Sequence, residues 1–417
     1  MAPPATIRVH VASDVDGTTL PVGVAYVNRR GDQTTVNLTY ATDYLADPRA
    51  YPVSPDLPLS HSRHSTDGLP GAFADSAPDR WGRNLIAKRH RARTRGSAVQ
   101  RSLGAIDYLL GVSDATRQGS LRFALEDDGP FLADDLADGG VPQLLELPRL
   151  LAAADEVARD PDDLAAIKVL LDAGTGTLGG ARPKASVRDG DRLLIAKFPH
   201  HGDDWDVMGW EKTALDLADV AGIHTPPSRL ITIEGSHVLL LDRFDRDEDA
   251  SVPAVGGRRL PYVSAMTLIG ASDDVPADYL ELAEAMSAHG GSVTDDLAQL
   301  WRRIAFSLVV NNTDDHMRNH GFLHGPGGWV LAPAFDVNPD PDVTRHRAST
   351  IGFTAAPDAT LPALLASSLD FRLRRNRAEE ILSEVVEATS GWRDVATANG
   401  VPERELERFA PALDRFR

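Results

Sequence analysis

In the stretch VVNNTDDHMRNHGFL, residues 309–323, Asp314 and Asn319 are separated by four residues. An aspartate at the first position can orient an attacking hydroxyl and take its proton. An asparagine at the second can hold Mg²⁺, and this Asp-x-x-x-x-Asn spacing is the one phosphoryl transfer uses in protein kinases. The spacing selects Asp314 over its neighbour Asp315. A second metal-binding aspartate should then follow a short strand, and WVLAPAFDVNPD supplies Asp336 directly after Phe335. So many polar groups beside the apolar run Phe306–Val310 are costly unless something compensates them. Mg²⁺ and a triphosphate would do so. The plainer alternative, a capped helix end followed by an Asn/Asp turn, accounts for one or two of these residues.

Upstream, DAGTGTLGGARPKASV (172–187) contains Gly174-x-Gly176-x-x-Gly179. The pattern alone is weak, because a dinucleotide fold needs a strand before it and a helix after it. Here a helical stretch precedes, and KASVRDGDRLLIAKF follows as a hairpin turning at Asp189-Gly190. No Gly-Lys-[Ser/Thr] completes a Walker loop. Glycines let backbone N–H groups approach phosphate. A glycine loop tied to a hairpin, with Lys197 on the next strand, is a kinase arrangement. Glu211, on the helical pattern MGWEKTALDLADVAGI, stands where a lysine-orienting carboxylate belongs. The alternatives are a tight turn with Lys197 in solvent, and a surface glutamate. The ordered set Gly loop, Lys197, Glu211, Asp314, Asn319, Asp336 is far more specific than any member.

These residues need elements to position them. Residues 6–40 alternate apolar and polar side chains and break at DVDG and RRGD, which predicts a small antiparallel sheet. DSAPDRWGRNLIAKRHRAR reads as a helix with Asp79 or Ser76 as its cap. Residues 126–142 form an acidic, Gly-rich linker before a helical stretch. Strands are predicted over 183–198 and 228–245. From about residue 260 the apolar spacing is mainly helical.

Composition narrows the function further. The chain has 417 residues, 42% hydrophobic and 25% charged, with a net charge of −18 and no cysteine. That charge disfavours direct binding of nucleic acid. The basic run 87–96 reads as a solvated helix face. No apolar run is long enough for a membrane span, and the N-terminus lacks a secretory signal, so a cytoplasmic protein is expected. HSRH (61–64) and the His200-His201 pair lack the spacing of a metal enzyme. No Gly-x-Ser-x-Gly supports hydrolysis.

GTLGGARPKA, LIAKFP, LLDRFDR, NNTDDHMRNHGFL and LAPAFDVNP together resemble the HipA family of serine/threonine kinase toxins. GAFADSAPDRWGRNLIAKR and AEEILSEVVEATSGWRDVATANGV echo its N- and C-terminal blocks. The resemblance implies an α+β, protein-kinase-like two-lobed fold: a β-rich N-terminal subdomain (1–140), a small lobe (141–250) and an all-helical large lobe (251–417). It makes Asp314 the catalytic residue and gives Mg²⁺ to Asn319 and Asp336. It places Gly179, Gly180, Ala181, Arg182 and Lys184 over the phosphates of ATP, and Lys197 on the nucleotide. Asp242, Arg243 and Phe244 form the hinge, His316 lies near the phosphates and Phe335 near the base. Implied partners are a helix-turn-helix antitoxin, DNA only through that antitoxin, and a protein substrate such as an aminoacyl-tRNA synthetase.

Two departures stand out. Thr175 and Thr177 occupy the loop where relatives often carry an autophosphorylated serine, and Asp242 stands where they often carry glutamate. Phosphate on Thr177, or failing that Thr175, would repel the triphosphate. Competing readings are a kinase of lipids or small molecules, and a catalytically silent kinase-like regulator.

Overall fold

The computed structural model describes residues 5–15, 17–30, 33–94, 102–127, 129–131, 140–160, 162–173, 182–247, 257–272 and 276–416. The chain divides into two compact units, each discontinuous: Met1–His201 with Asp245–Val263, and Gly202–Phe244 with Ser264–Arg417.

In the first unit the alternating segment forms β1 (Ala5–Val15), β2 (Thr18–Arg30) and β3 (Gln33–Tyr40). With β4 (His64–Asp67) and β5 (Leu121–Ala124) they make an antiparallel sheet of order β4-β3-β2-β1-β5. Val9, Val11, Val22, Ala25, Val27, Val36 and Leu38 all point into the core, as period-two alternation requires. The β1–β2 register shifts between Val11 and Ala12. Gly23, opposite that bulge, has φ +159°, and a Cβ there would meet Thr39 O at 2.2 Å. Only glycine allows this close strand approach.

The helix Arg80–Arg93 follows its cap as the sequence predicts. Asp79 uses one carboxylate oxygen to accept the Gly82 N–H at 2.7 Å, a standard N-cap bond. Its other oxygen meets the Lys184 ammonium at 2.8 Å, with both side chains 3% exposed. Lys184 opens β6 (Lys184–Asp189), which pairs antiparallel with β7 (Arg192–Lys197) around Gly190 at φ +64°. Of the acidic linker, residues 128 and 132–139 lie outside the described set.

The second unit carries the hairpin β8 (Ser228–Ile233) and β9 (Ser236–Asp242), and is otherwise mostly helical. Its core is built on large side chains: Trp210, Trp301 and Trp392 are fully buried. Trp210 stacks on Phe409, with ring centroids 3.8 Å apart, and its indole N–H donates to Glu405 at 3.0 Å. Such aromatic pairs add about 0.5–1.5 kcal/mol beyond area burial. They join the helix Val207–Val220 to the C-terminal helix Glu403–Leu413. Among the described residues no helix is long and apolar enough to cross a membrane.

Candidate active site

The apolar run that precedes Asp314 is the end of the helix Val293–Val309. Asn311 stops it. At φ +55° its N–H donates to Leu308 O at 3.3 Å, and the next N–H, of Asn312, reaches back to Ser307 O at 2.9 Å. These two bonds make a Schellman cap, with asparagine in the left-handed position it tolerates better than most residues. The Asn311 amide then donates to Asp340 O at 2.6 Å and Asp342 O at 3.1 Å. The Thr313 hydroxyl donates to the Asp340 carboxylate at 3.2 Å, which also pairs with Arg345 at 2.8 Å. The chain beyond Asp336 is thus fastened to the start of the polar loop.

Within the loop the two adjacent aspartates part company. Asp315 is buried. Its carboxylate accepts the Tyr279 hydroxyl at 2.6 Å and lies 3.0 Å from the His320 imidazole. Burial by itself would raise its carboxyl; His320, then Arg347 and the Tyr279 hydroxyl, overcome this and hold it well below the usual carboxylate range. Asp314 is exposed between buried Thr313 and buried Asp315. Its backbone carbonyl, not its side chain, carries the local structure, accepting the His316 N–H at 3.0 Å and the Asn319 amide at 3.1 Å. Partial withdrawal of its carboxyl from water, followed by the negative charges of Asp336 and Asp315, pushes that carboxyl up against the opposing pull of His316 and Arg345. A carboxylate with a raised pKa is a better proton acceptor.

Asn319 is buried on the short 3-10 turn Met317–Asn319. Because its amide N–H₂ is spent on Asp314 O, its amide oxygen is the end left for a cation. Asp336 follows the hairpin formed by Gly321–Gly325 and Gly328–Leu331. Its φ is +58°, a conformation costing on the order of 1 kcal/mol that concentrates at functional sites. The Asn338 amide donates to it at 3.3 Å. One carboxylate and one amide oxygen would suit Mg²⁺, a hard ion that prefers oxygen ligands. Among the described residues no group of three or more His, Asp or Glu side chains is placed to hold a metal.

The rings of Phe244 and Phe335 lie 5.4 Å apart at 31° in the same unit, an apolar platform of the kind a planar base stacks on. Asp242 ends β9, and its N–H donates to Pro227 O at 2.9 Å. Arg243 is buried, and His316 is half-buried beside Asp314 with its Nδ1 unpartnered among the described residues.

The HipA-like C-terminal domain family matches residues 176–392, more than half of the chain, and the HipA N-terminal domain family matches 20–104. The chain belongs to the HipA family. A protein of Sinorhizobium fredii named "Putative kinase Y4mE" is 26% identical over 350 residues, covering 79% of this chain and 78% of that one. A Haemophilus influenzae protein of similar description is 23% identical over 148 residues, 32% of this chain and 42% of its own length. The solved structure of Shewanella oneidensis HipA, in complex with HipB and operator DNA, superposes with a TM-score of 0.68. It covers 97% of this chain and 95% of that one at 17% identity. The α+β, protein-kinase-like HipA fold expected from the sequence is therefore the fold observed.

Several HipA-type positions lie in the first unit. Gly179, Gly180, Ala181, Thr175 and Thr177 fall outside the described residues, and Arg182 stands half-buried at their edge. Lys184, expected over the phosphates, pairs through its ammonium with Asp79. The cross-strand partner of Lys184 is Lys197, also buried. Two opposed cations on one ladder are unfavourable without anions nearby, and Asp79 supplies one. Glu211 belongs to the second unit, 1% exposed within the helix Val207–Val220. Sequence reasoning missed Tyr279, His320, Arg347, Asp340 and Asn338, which hold the loop and Asp336. The doubled aspartate at 314–315 was the available signal that one of the pair has a structural task.

Proposed function

We propose that this HipA-family chain is an ATP- and Mg²⁺-dependent kinase that phosphorylates a serine or threonine hydroxyl of a protein, acting as the toxin of a toxin–antitoxin pair. The observation that carries this reading is the exposed Asp314 carboxylate, raised in pKa, between buried Thr313 and the buried, tightly held Asp315. Asp314 takes the hydroxyl proton while that oxygen bonds to the γ-phosphorus. The bond from phosphorus to the bridging oxygen breaks, and ADP leaves with its electron pair. Asn319 and Asp336 would hold Mg²⁺, which when bound neutralises charge on the phosphates. Phe244 and Phe335 offer the base a stacking surface. Lys197 and Arg182 take the nucleotide-holding roles that the resemblance to the HipA family implies for them. The test is phosphoproteomics of cells expressing the active protein or Asp314→Asn. Phosphosites that depend on Asp314 support the reading, and identical phosphoproteomes count against it.

Asp336→Asn should weaken Mg²⁺-dependent nucleotide binding. Asparagine tolerates the left-handed backbone at this position, so the change isolates the charge. Loss of even a secondary metal-site partner costs roughly 10–100-fold in metal affinity, and a direct ligand should cost at least that. Titration of Mg²⁺ and ATP against both proteins measures it; coincident curves would remove Asp336 from the metal site.

The partner is a helix-turn-helix antitoxin, a reading supported by the HipB-bound Shewanella structure. With a net charge of −18, this chain should reach DNA only through that partner. Salt-dependent DNA binding by the isolated protein, as tight as that of the complex, would contradict this.

A further inference from the structure

Phe353 is 86% exposed and has φ +65°. A bulky side chain in the left-handed region is strained by about 1–2 kcal/mol, and this ring recovers nothing through burial. The strain is held by Asp278, itself 3% exposed. One Asp278 oxygen accepts the Phe353 N–H and the Thr350 hydroxyl, both at 2.7 Å. The other accepts the Gly352 N–H at 3.3 Å and the Leu280 N–H at 2.9 Å. Ile351 and Thr354 close the turn with reciprocal backbone bonds of 2.9 and 3.2 Å, and the Ile351 side chain is fully buried. The result is a tight, well-anchored turn that holds an aromatic ring out into solvent.

This turn is fastened to the catalytic loop. The Ala348 N–H donates to Thr313 O at 2.9 Å, and the Ser349 hydroxyl donates to Asp315 O at 2.7 Å. Both acceptors flank Asp314. From Ser349 to Phe353 the chain spans at most about 14 Å. Strain kept at a rigid turn, with an unburied aromatic at its tip, is a mark of recognition rather than of folding.

We propose that Phe353 is the docking anchor for the polypeptide that receives the phosphate. An apolar side chain of an extended substrate segment, at a fixed separation along the chain from the acceptor hydroxyl, seats against the ring. This deepens the kinase reading and rests on it. Because Phe353 is exposed, its replacement leaves the fold intact.

The test compares wild type, Phe353→Ala, Phe353→Tyr and Phe353→Gly on a degenerate library of Ser- and Thr-centred peptides, with peptide-independent hydrolysis of Mg²⁺·ATP as the second readout. Wild type should select an apolar residue at one fixed separation from the acceptor. Phe353→Ala should raise KM for the best peptide roughly tenfold or more, with kcat and ATP hydrolysis unchanged, and Phe353→Tyr should restore KM. Phe353→Gly should melt no lower than wild type, because it relieves the backbone, yet share the KM defect. An unchanged KM overturns the proposal, as does a loss shared equally by ATP hydrolysis. A wild type that hydrolyses ATP but modifies no peptide overturns the extended-peptide occupant alone. A wild type without ATP turnover overturns the kinase reading together with it. Loss of self-association in Phe353→Ala without a KM change would assign the turn to contact between copies, and also overturns it.

Discussion

Asp314→Asn is expected to lower the rate of phosphoryl transfer by about 10²–10⁴-fold, the usual contribution of a positioned general base. That corresponds to about 3–5 kcal/mol of transition-state stabilisation. ATP affinity and thermal stability should stay near wild type, for a geometric reason. The bonds that shape the loop, from the His316 N–H and the Asn319 amide, go to the backbone carbonyl of residue 314. The side chain that changes is exposed, and asparagine keeps its shape while losing the capacity to take a proton. The fall should therefore appear in kcat, with KM for ATP unmoved, in single-turnover transfer from labelled ATP. Turnover close to wild type would dismiss Asp314 as the base and leave the exposed carboxylate without its assigned task.

The neighbouring substitution should fail in a different way. Asp315→Ala removes a buried carboxylate and leaves Tyr279, His320 and Arg347 without it. Breaking a buried pair from one side typically costs about 3–5 kcal/mol. For a unit of this size that lowers the melting temperature on the order of 10 °C. The linkage has a definite sign. The folded Asp315 carboxyl is held below its unfolded value of about 3.9, so its stabilisation is complete above about pH 4. It is lost as the pH falls through the folded value. Wild type should lose stability on acidification more steeply than Asp315→Asn, and the two should converge in strong acid. Calorimetry across that range measures it. Equal melting temperatures at neutral pH would mean that the buried network contributes nothing.

Together the two substitutions separate adjacent residues that composition treats alike. The spacing to Asn319 already favoured Asp314, and the structure adds why its neighbour is unsuitable: Asp315 is spent on holding the loop.

What the sequence determined by itself was local or ordinal. Alternation placed β1 to β3, because a strand shows its period within a few residues. The turn at Gly190 was legible for the same reason, and so was a helix cap at Asp79 or Ser76, between which the structure selects Asp79. Tertiary structure decided which polar groups are buried and by what. Lys184 meets Asp79 across 105 positions, and Asp315 meets Tyr279 across 36. No periodicity encodes such pairs, because their partners come together only when distant segments pack. The left-handed backbone at Asp336 and Phe353 belongs to the same class. Neither residue type favours that conformation in isolation, and at Phe353 it is the buried Asp278 carboxylate that imposes it.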